Sequence, residues 1–162
     1  MRARNCGGVG LIVRPLSGRP EAATAARIFE TRYGDAYPNP SVYAPCQIER
    51  EARLHTAQTY VAQYGPIQGT SPIYGVISLV RAPHNPKVVE LARCVVDPEA
   101  PVSGVGNALV DGLIHDLTEY HSYFGLAVTQ HTHSQKMLAR LGMVHAGVLF
   151  GHLPAEATEV EV

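Results

Sequence analysis

The sequence is poor in the features that mark secreted, membrane-spanning and nucleic-acid-binding proteins. Its three cysteines, Cys6, Cys46 and Cys94, are scattered and include no C-x-x-C pair, so they do not predict a disulfide framework. Charged residues make up only 17% of the chain and the net charge is −1, so we expect no strongly basic face and no nucleic-acid partner. No segment approaches the roughly 18 consecutive apolar residues of a membrane span.

The N-terminus also lacks the pattern of a secretory signal. Arg2 and Arg4 are followed by a short apolar run that ends at Arg14, without a long apolar segment and a small-residue cleavage site. We therefore expect residues 1–9 to be a flexible N-terminus and the protein to be cytoplasmic.

The chain is 46% hydrophobic and 162 residues long, which is enough to form the core of one domain over residues 1–162. The patterns predict a strand, a helix ending at Gly34, a loop, a short helix, three strands, a long helix, a strand, a helix and a last strand. The predicted strands cover residues 10–15, 59–64, 73–82, 88–96, 126–129 and 143–150; the helices begin near Ser17, Gln47, Gly104 and Gln135, and the one from Gly104 runs to about Tyr120.

This order predicts the fold class. Strands joined by short turn-rich loops are expected to be antiparallel neighbours, and the later strand–helix–strand unit adds a different connection. We therefore predict an α/β protein of the α+β type, with a central, mostly antiparallel mixed sheet and helices on both faces.

The strongest local signal lies between a predicted strand and the long helix. Val96-Asp97-Pro98 ends the strand, and Ser103-Gly104-Val105-Gly106-Asn107 opens the helix. The first turn of a helix has N–H groups without intrahelical partners, and glycine lets a ligand approach the backbone. The pattern indicates a phosphate or pyrophosphate site, or else two glycines that only shape a tight turn. It is neither a Walker A loop nor a dinucleotide fingerprint, because Leu109 stands where the third glycine would be.

These residues resemble the GNAT acyltransferases. In that family a V-x-P strand end leads into a Q/R-x-x-G-x-G/A loop, followed about thirty residues later by a polar residue, a helix and a Gly-Phe ending. In this sequence the V-x-P strand end is matched by residues 96–98, and the glycine part of the loop by residues 104–106. The polar residue, helix and Gly-Phe ending are matched by residues 131–143, with Met143 in place of the aromatic residue. The resemblance covers about residues 10–151, and its firm motifs lie in 88–143.

The resemblance implies an enzyme that binds acetyl-coenzyme A as acyl donor and transfers the acyl group directly to an acceptor amine, without a metal. It implies that the backbone of Cys94, Val95 and Val96 pairs with the pantetheine arm. His131 would contact the pantetheine or the 3′-phosphate side. The pyrophosphate would be held by backbone N–H groups of Val102, Ser103, Gly104, Val105, Gly106 and Asn107.

Two positions depart from the family pattern. Pro101 stands at the Gln or Arg position of the loop, and Leu138 stands where many members carry a tyrosine that acts as general acid. The chain could therefore also be a degenerate member that binds acyl-coenzyme A with a regulatory or structural role. A cofactor-free module that binds a metal or a partner is a second alternative.

For the reaction itself, Glu90 is the most plausible base in the sequence, or else an exposed carboxylate on a strand. His131 and His133 have three readings: metal ligands, acid–base groups, or polar residues that cap the following helix, which we favour. We expect Cys94 to be buried rather than nucleophilic.

The loop over residues 34–46 contains tyrosines and three prolines, and it lies where the family places its variable acceptor-binding segment. Tyr37 and Tyr43 could therefore supply a phenol near the thioester, or they could anchor the loop to the core. The acceptor cannot be read from these residues. The tail over 155–162 alternates like a strand, so we expect it either to pair with a sheet edge or to leave that edge to a homodimer partner.

Overall fold

A six-stranded sheet organises the chain, in the spatial order β1-β2-β3-β4-β5-β6. The computed structural model describes residues 4–5, 10–65, 71–127 and 132–149. The strands are β1 (Arg4–Asn5), β2 (Leu11–Pro15), β3 (Ala57–Tyr64), β4 (Ile73–Ala82), β5 (Asn85–Val96) and β6 (Ser122–Gly125). The helices are α1 (Gly18–Tyr33), α2 (Pro45–Arg53), α3 (Val105–Leu117) and α4 (His133–Arg140), and a short 3₁₀ helix covers Pro40–Tyr43.

The pairing of the strands confirms the predicted mixed sheet. Each of β1 to β5 is antiparallel to the next, whereas β6 runs parallel to β5. Pro83 and His84 form the connection between β4 and β5, so β5 begins at Asn85, earlier than the predicted start at residue 88. The parallel pair requires a crossover, and α3 provides it.

Helices cover both faces of the sheet, as predicted. On one face Leu109 and Leu113 of α3 are fully buried against the strands, and residues of α4 pack around the same core. On the other face Ile28 and Phe29 of α1 pack with Ile48 of α2 against the opposite sides of the strands. The apolar residues spaced three and four apart in α1 and α3 are the ones that face the sheet.

A network of polar groups fixes the start of α1. The Arg14 guanidinium donates to both carboxylate oxygens of Glu21, at 2.6 and 2.9 Å, and to the buried amide oxygen of Gln63. Glu21 also accepts the backbone N–H of Ser17, the N-cap residue, at 2.7 Å. Burial alone would raise the Glu21 pKa, but these hydrogen bonds and the Arg14 charge lower it. The network therefore adds stability at neutral pH that is lost as the pH falls through the lowered pKa.

Two strand predictions were wrong. The strand expected at 126–129 lies earlier, at Ser122–Gly125, and Leu126 after it is 47% exposed. Residues 143–149 form no strand, and Val144 is 85% exposed. Both segments are rich in apolar residues, but their described parts, 126–127 and 143–149, pair with no strand among the described residues. Val128, Thr129, Phe150 and the tail lie outside those residues, as do residues 1–3 and 6–9 of the expected flexible N-terminus.

The long helix also ends earlier than predicted, at Leu117 rather than near Tyr120. Residues 118–120 continue as turns, in which Thr118 and Tyr120 donate backbone N–H groups to the carbonyls of His115 and Leu117. The helical spacing of apolar residues therefore extends beyond the helix itself, which is common at frayed or 3₁₀-like ends.

Close packing of α3 on β2 leads to the first testable prediction. A Cβ atom at Gly112 would lie 2.6 Å from both Cβ and Cγ1 of Val13, so the helix can approach β2 only without a side chain there. We expect Gly112→Ala to lower the free energy of unfolding by about 1–3 kcal/mol through overpacking, measured by urea denaturation.

Gly106→Ala is the matched control, because it lies in the same helix and its Cβ would be no closer than 3.6 Å to other atoms. Alanine has the higher helix propensity, so this variant should be at least as stable as the wild type. Equal stability of the two variants would contradict the packing argument.

Candidate functional site

The sheet opens into a fork between β5 and β6. The two strands pair from Val88↔Ser122 to Leu91↔Gly125, and then β6 ends while β5 continues to Val96. On this side the edge of β5 at 92–96 is unpaired among the described residues. Such an edge can hydrogen-bond an extended ligand as if it were a further strand.

A β-bulge lies in β5 beside the fork. Val76 of β4 pairs with Val95 and Ser78 pairs with Ala92, so one residue of β4 is opposite two residues of β5. Arg93 in the bulge has a φ of 56°, a left-handed conformation that is uncommon outside glycine. Because the bulge adds one residue to β5, the side chains after it point to the opposite face of the sheet from the one that regular alternation would give.

The reversal is visible in the two cores. Leu91 packs in the core below α3, whereas Val95 packs in the core below α1 and α2, although residues four apart in a regular strand share a face. Cys94 and Val96 pack at the edge of the α3 core. The bulge therefore turns backbone and side chains at the point where the fork opens.

An ion pair holds the bulge against α2. The Arg93 guanidinium donates to both carboxylate oxygens of Glu51, at 2.5 and 3.2 Å, and the Arg93 side chain is only 9% exposed. The Ser41 hydroxyl donates to the same carboxylate at 3.2 Å. The buried charge is thus paired and hydrogen-bonded, which is the condition for its burial.

After β5 the chain turns into the N-terminus of α3. The Asp97 carboxylate, 6% exposed, accepts the backbone N–H of Glu99 at 3.0 Å and pairs with Arg27 at 3.2 Å, so Asp97 stabilises the turn. Gly104 is the N-cap of α3, with a φ of 84°. The helix has no side-chain cap and no acidic residue in its first turn.

The backbone of this first turn is accessible. Gly104 has no atom within 4 Å of where a Cβ would be, and Ser103 and Asn107 are exposed. A Cβ at Gly106 would meet Val96 Cγ2 at 3.6 Å and Met137 Sδ at 3.9 Å. The N–H groups therefore have a clear approach at the end of the fork, which suits an anion such as a phosphate.

Helix α4 lies across the fork. Its Met137 approaches Gly106 of α3, and its Leu138 packs on Gly125, where a Cβ would come within 2.9 Å of Leu138 Cδ1. A hydrocarbon side chain thus occupies the branch point of the two strands. One turn earlier, the Ser134 hydroxyl oxygen is buried and lacks a hydrogen-bond partner among the described residues.

Aromatic residues of α1 and of the following loop cluster on the face of the sheet covered by α1 and α2. The rings of Phe29, Tyr33 and Tyr37 lie together, with centroids 5.0 and 5.1 Å from Tyr37 to the other two. The Tyr43 hydroxyl accepts the backbone N–H of Tyr37 at 3.0 Å, so the loop is anchored by its own aromatic residues.

The environment of Tyr37 places it near the bulge. Burial is the main cause that raises the Tyr37 pKa above its usual value; Tyr33 and Glu90 add to this effect, and Arg93 opposes it. Tyr37 therefore stays protonated at neutral pH. Of the residues predicted to be catalytic, Tyr37 and Glu90 lie close enough to interact electrostatically, and Tyr43 is linked to them through the Tyr37 backbone.

Cys94 is a partly buried thiol at the edge of the α3 core. Burial raises the Cys94 pKa to about 12, so the thiolate that a nucleophile requires is absent at neutral pH. Its side chain contributes to packing, and its backbone belongs to the open edge of β5.

His131 lies outside the described residues, and His133 is exposed at the start of α4. In the described part of the chain no three His, Cys, Asp or Glu residues are grouped so that they could hold a metal ion. The helices described there are all too short or too polar to cross a membrane.

Sequence reasoning missed the bulge and the Arg93–Glu51 pair. The only signal was an arginine within the apolar end of a strand, since a left-handed conformation at a non-glycine residue has no sequence signature. The partner Glu51 is 42 residues away on a short helix.

Comparison with known proteins agrees with this arrangement of strands and helices. The family model described as "Acetyltransferase (GNAT) family" matches residues 23–143, three quarters of the chain. The chain belongs to the GNAT acetyltransferase family. No curated protein sequence matches it.

Solved GNAT structures share its fold at low sequence identity. The ribosomal-protein-S5-alanine acetyltransferase of Vibrio fischeri aligns with a TM-score of 0.66 and 17% identity, over 91% of this chain and 85% of its own. An aminoglycoside acetyltransferase from an uncultured soil metagenomic sample gives 0.64 and 15%, over 87% and 94%. The dodecameric spermidine N-acetyltransferase of Vibrio cholerae gives 0.64 and 12%, over 85% and 81%.

The glycine at the end of the fork provides a direct test of ligand binding. We expect Gly106→Val to weaken coenzyme A binding by well over tenfold, more than about 1.4 kcal/mol, because its side chain blocks the approach to the N–H groups of α3. Isothermal titration of folded protein measures the change.

Gly106→Ala serves as the intermediate variant, since its Cβ makes only ordinary contacts in the protein. The affinities should fall in the order glycine, alanine, valine. Wild-type affinity in a folded Gly106→Val protein would contradict a phosphate-binding role for this turn.

Proposed function

We propose that this protein transfers an acetyl group from acetyl-coenzyme A directly to an amine of an acceptor. One observation carries the proposal: the fork between β5 and β6 ends at the uncapped N-terminus of α3. A strand edge that is unpaired among the described residues, followed by the first-turn N–H groups of a helix without a side-chain cap, suits a ligand that has an amide-containing arm and a pyrophosphate.

The residues present fit such a ligand. The backbone of Cys94, Val95 and Val96 would hydrogen-bond the pantetheine arm, and the N–H groups of residues 102–107, above all those at Gly104 and Gly106, would bind the pyrophosphate. The buried hydroxyl of Ser134, which has no partner in the described part of the chain, adds a polar group to the α4 wall. His131 keeps its proposed role on the pantetheine or 3′-phosphate side.

When bound, acetyl-coenzyme A supplies an activated acyl group and a thiolate leaving group. The acceptor amine must lose a proton as it attacks, and Glu90 would take this proton, directly or through a water molecule. Glu90 lies on β5 at the last pairs before the fork opens, opposite Phe124 of β6, and close to Tyr37.

The leaving thiolate needs a proton, and Leu138 at the branch point cannot donate one. We assign this role to Tyr37, whose partly buried phenol is protonated at neutral pH and interacts electrostatically with Cys94 and Glu90 on β5. Tyr43 would position Tyr37, because its hydroxyl accepts the Tyr37 backbone N–H.

The acceptor is known only as an amine. The three solved relatives named above carry the names of a ribosomal protein, aminoglycosides and spermidine, so acceptors vary while the fold is kept. The dodecameric relative supports the proposal that this chain also self-associates, for which a homodimer is the simplest form. We place the reaction in the cytoplasm.

A second candidate function is an acyl-coenzyme A-binding domain with little catalysis. Leu138 at the branch point favours it, because the fork then binds a thioester without the usual proton donor. Titration with acetyl-coenzyme A combined with a thiol-release assay on a panel of amines separates the two: the enzyme releases thiol, and the binding domain only binds.

Substitution of the proposed base tests catalysis. We expect Glu90→Gln to lower kcat by about 10²–10⁴-fold without changing the affinity for coenzyme A, since an isosteric amide cannot accept the proton. Glu49→Gln, at a carboxylate on α2 away from the fork, is the control and should turn over normally. Normal turnover by Glu90→Gln would return Glu90 to an ordinary strand residue.

Removing one hydroxyl group tests the proposed acid. Tyr37→Phe keeps the ring contacts with Phe29 and Tyr33, so we expect the fold to remain and kcat to fall by at least about tenfold with an amine acceptor. Tyr43→Phe removes only the contact to the Tyr37 backbone and should have a smaller effect. A Tyr37→Phe enzyme with wild-type kcat would exclude the phenol as proton donor.

A further inference from the structure

A polar cavity of about 170 Å³ lies at the opposite end of α3 from the fork. Its walls come from the start of β3, the end of β4 and the C-terminal turns of α3. The polar side chains that line it include His55, Gln58, Tyr60, Arg81, Asp116 and Glu119. None of these residues takes part in the acyl-transfer site.

The distance between the two sites is large. Helix α3 has 13 residues, so its ends are about 20 Å apart at 1.5 Å per residue. Its N-terminus contributes to the fork and its C-terminus to the cavity. A molecule in the cavity would therefore not contact a ligand in the fork.

One wall of the cavity is suited to a cation. Asp116 lies in the last turn of α3 and Glu119 follows it, where the helix dipole is negative and acids are unfavourable. Tyr60, 6% exposed, reaches Asp116 with its hydroxyl group from β3. A bound ammonium group would offset the repulsion that these carboxylates experience at the helix end.

The other wall is suited to an anion. Arg81 at the end of β4 and His55 before β3 face the same cavity. Within the described chain, no salt bridge joins Arg81 to Asp116 or Glu119. Acidic side chains therefore lie on one side of the cavity and basic side chains on the other, and among the described residues Arg81 forms no ion pair with either acid.

We propose that this cavity binds a small zwitterion, a free α-amino acid, with its ammonium group at Asp116 and Glu119 and its carboxylate at Arg81. The size agrees, because an engineered cavity of about 150 Å³ holds a benzene molecule, so 170 Å³ suits a compound with only slightly more heavy atoms. Gln58 and the Tyr60 hydroxyl supply further hydrogen-bonding groups for its polar atoms.

The test compares three probes of similar size on the full chain: serine, which has both charges, ethanolamine, which lacks the carboxylate, and glycerate, which lacks the ammonium group. Binding is followed by isothermal titration and by amide chemical shifts of residues 55–60 and 116–120. We expect serine to bind at least about tenfold more tightly than either of the other probes.

Two variants assign the charges. Arg81→Gln should lower serine affinity to that of ethanolamine and leave ethanolamine binding unchanged. Asp116→Asn, which still accepts the Tyr60 hydrogen bond, should weaken both serine and ethanolamine. Asp111→Asn is the matched control, because Asp111 lies on the same helix but pairs with Arg140, outside the cavity; it should bind serine normally.

Gly106→Val should also bind serine like the wild type, so a failure of the acyl-transfer proposal leaves this result intact. The proposal is overturned if serine does not shift these amides, if it binds no better than both single-charge probes, or if Arg81→Gln and Asp116→Asn bind it as well as the wild type does.

Discussion

The Arg93–Glu51 ion pair is the interaction on which the geometry of the fork depends. Arg93 adopts a left-handed backbone conformation that costs about 1–2 kcal/mol for a residue with a Cβ atom. Both terminal nitrogens of the largely buried Arg93 guanidinium donate hydrogen bonds to the Glu51 carboxylate. The same carboxylate also accepts a hydrogen bond from the Ser41 hydroxyl. Without Glu51 the Arg93 guanidinium would lie largely buried with an uncompensated charge, which is strongly unfavourable, so the pair and the bulge are retained together. The tertiary contact therefore stabilises a backbone conformation that Arg93 would not adopt alone.

The consequences of this contact spread in two directions. Along β5, the bulge reverses the faces of the strand, so that Val95 closes the α1–α2 core while Cys94 and Val96 border the α3 core. Across the sheet, the contact fastens α2 and the 3₁₀ helix to the strand that carries Glu90. The aromatic loop before α2 is thereby held over β5. A single ion pair thus aligns the open strand edge with the residues proposed to act on the acceptor.

The sequence predicted the parts of this fold that depend on local patterns. Helical spacing of apolar residues located α1 and α3, and alternating or β-rich runs located β3, β4 and most of β5, because burial of one face imposes the period. Gly104 and Gly106 were recognised because a strand-to-helix turn with glycines has a direct physical meaning.

What the sequence did not predict depends on tertiary contacts. The strand β6 lies at Ser122–Gly125, where it pairs with β5, while the apolar Leu126 after it is exposed. The bulge at Arg93 depends on Glu51, far away in the chain, and no local pattern reports it. The candidate site residues follow the same division: the sequence predicted the position of the glycine-containing turn, whereas the proximity of Tyr37 to Glu90 is visible only in the fold.

The two ends of α3 show how one helix can carry two different electrostatic environments. At its N-terminus the chain places glycines and no acidic side chain, which leaves the N–H groups and the positive end of the dipole to an anion. At its C-terminus the chain places Asp116 and Glu119, which oppose the dipole, each at a cost of about 0.3–1 kcal/mol.

An uncapped start and an acidic end both weaken an isolated helix. Buried leucines and valines over its whole length compensate, because packing against the sheet stabilises α3 far more than its caps would. Because packing stabilises α3, its ends do not need favourable capping residues. The N-terminus is therefore suited to an anion and the C-terminus to a cation.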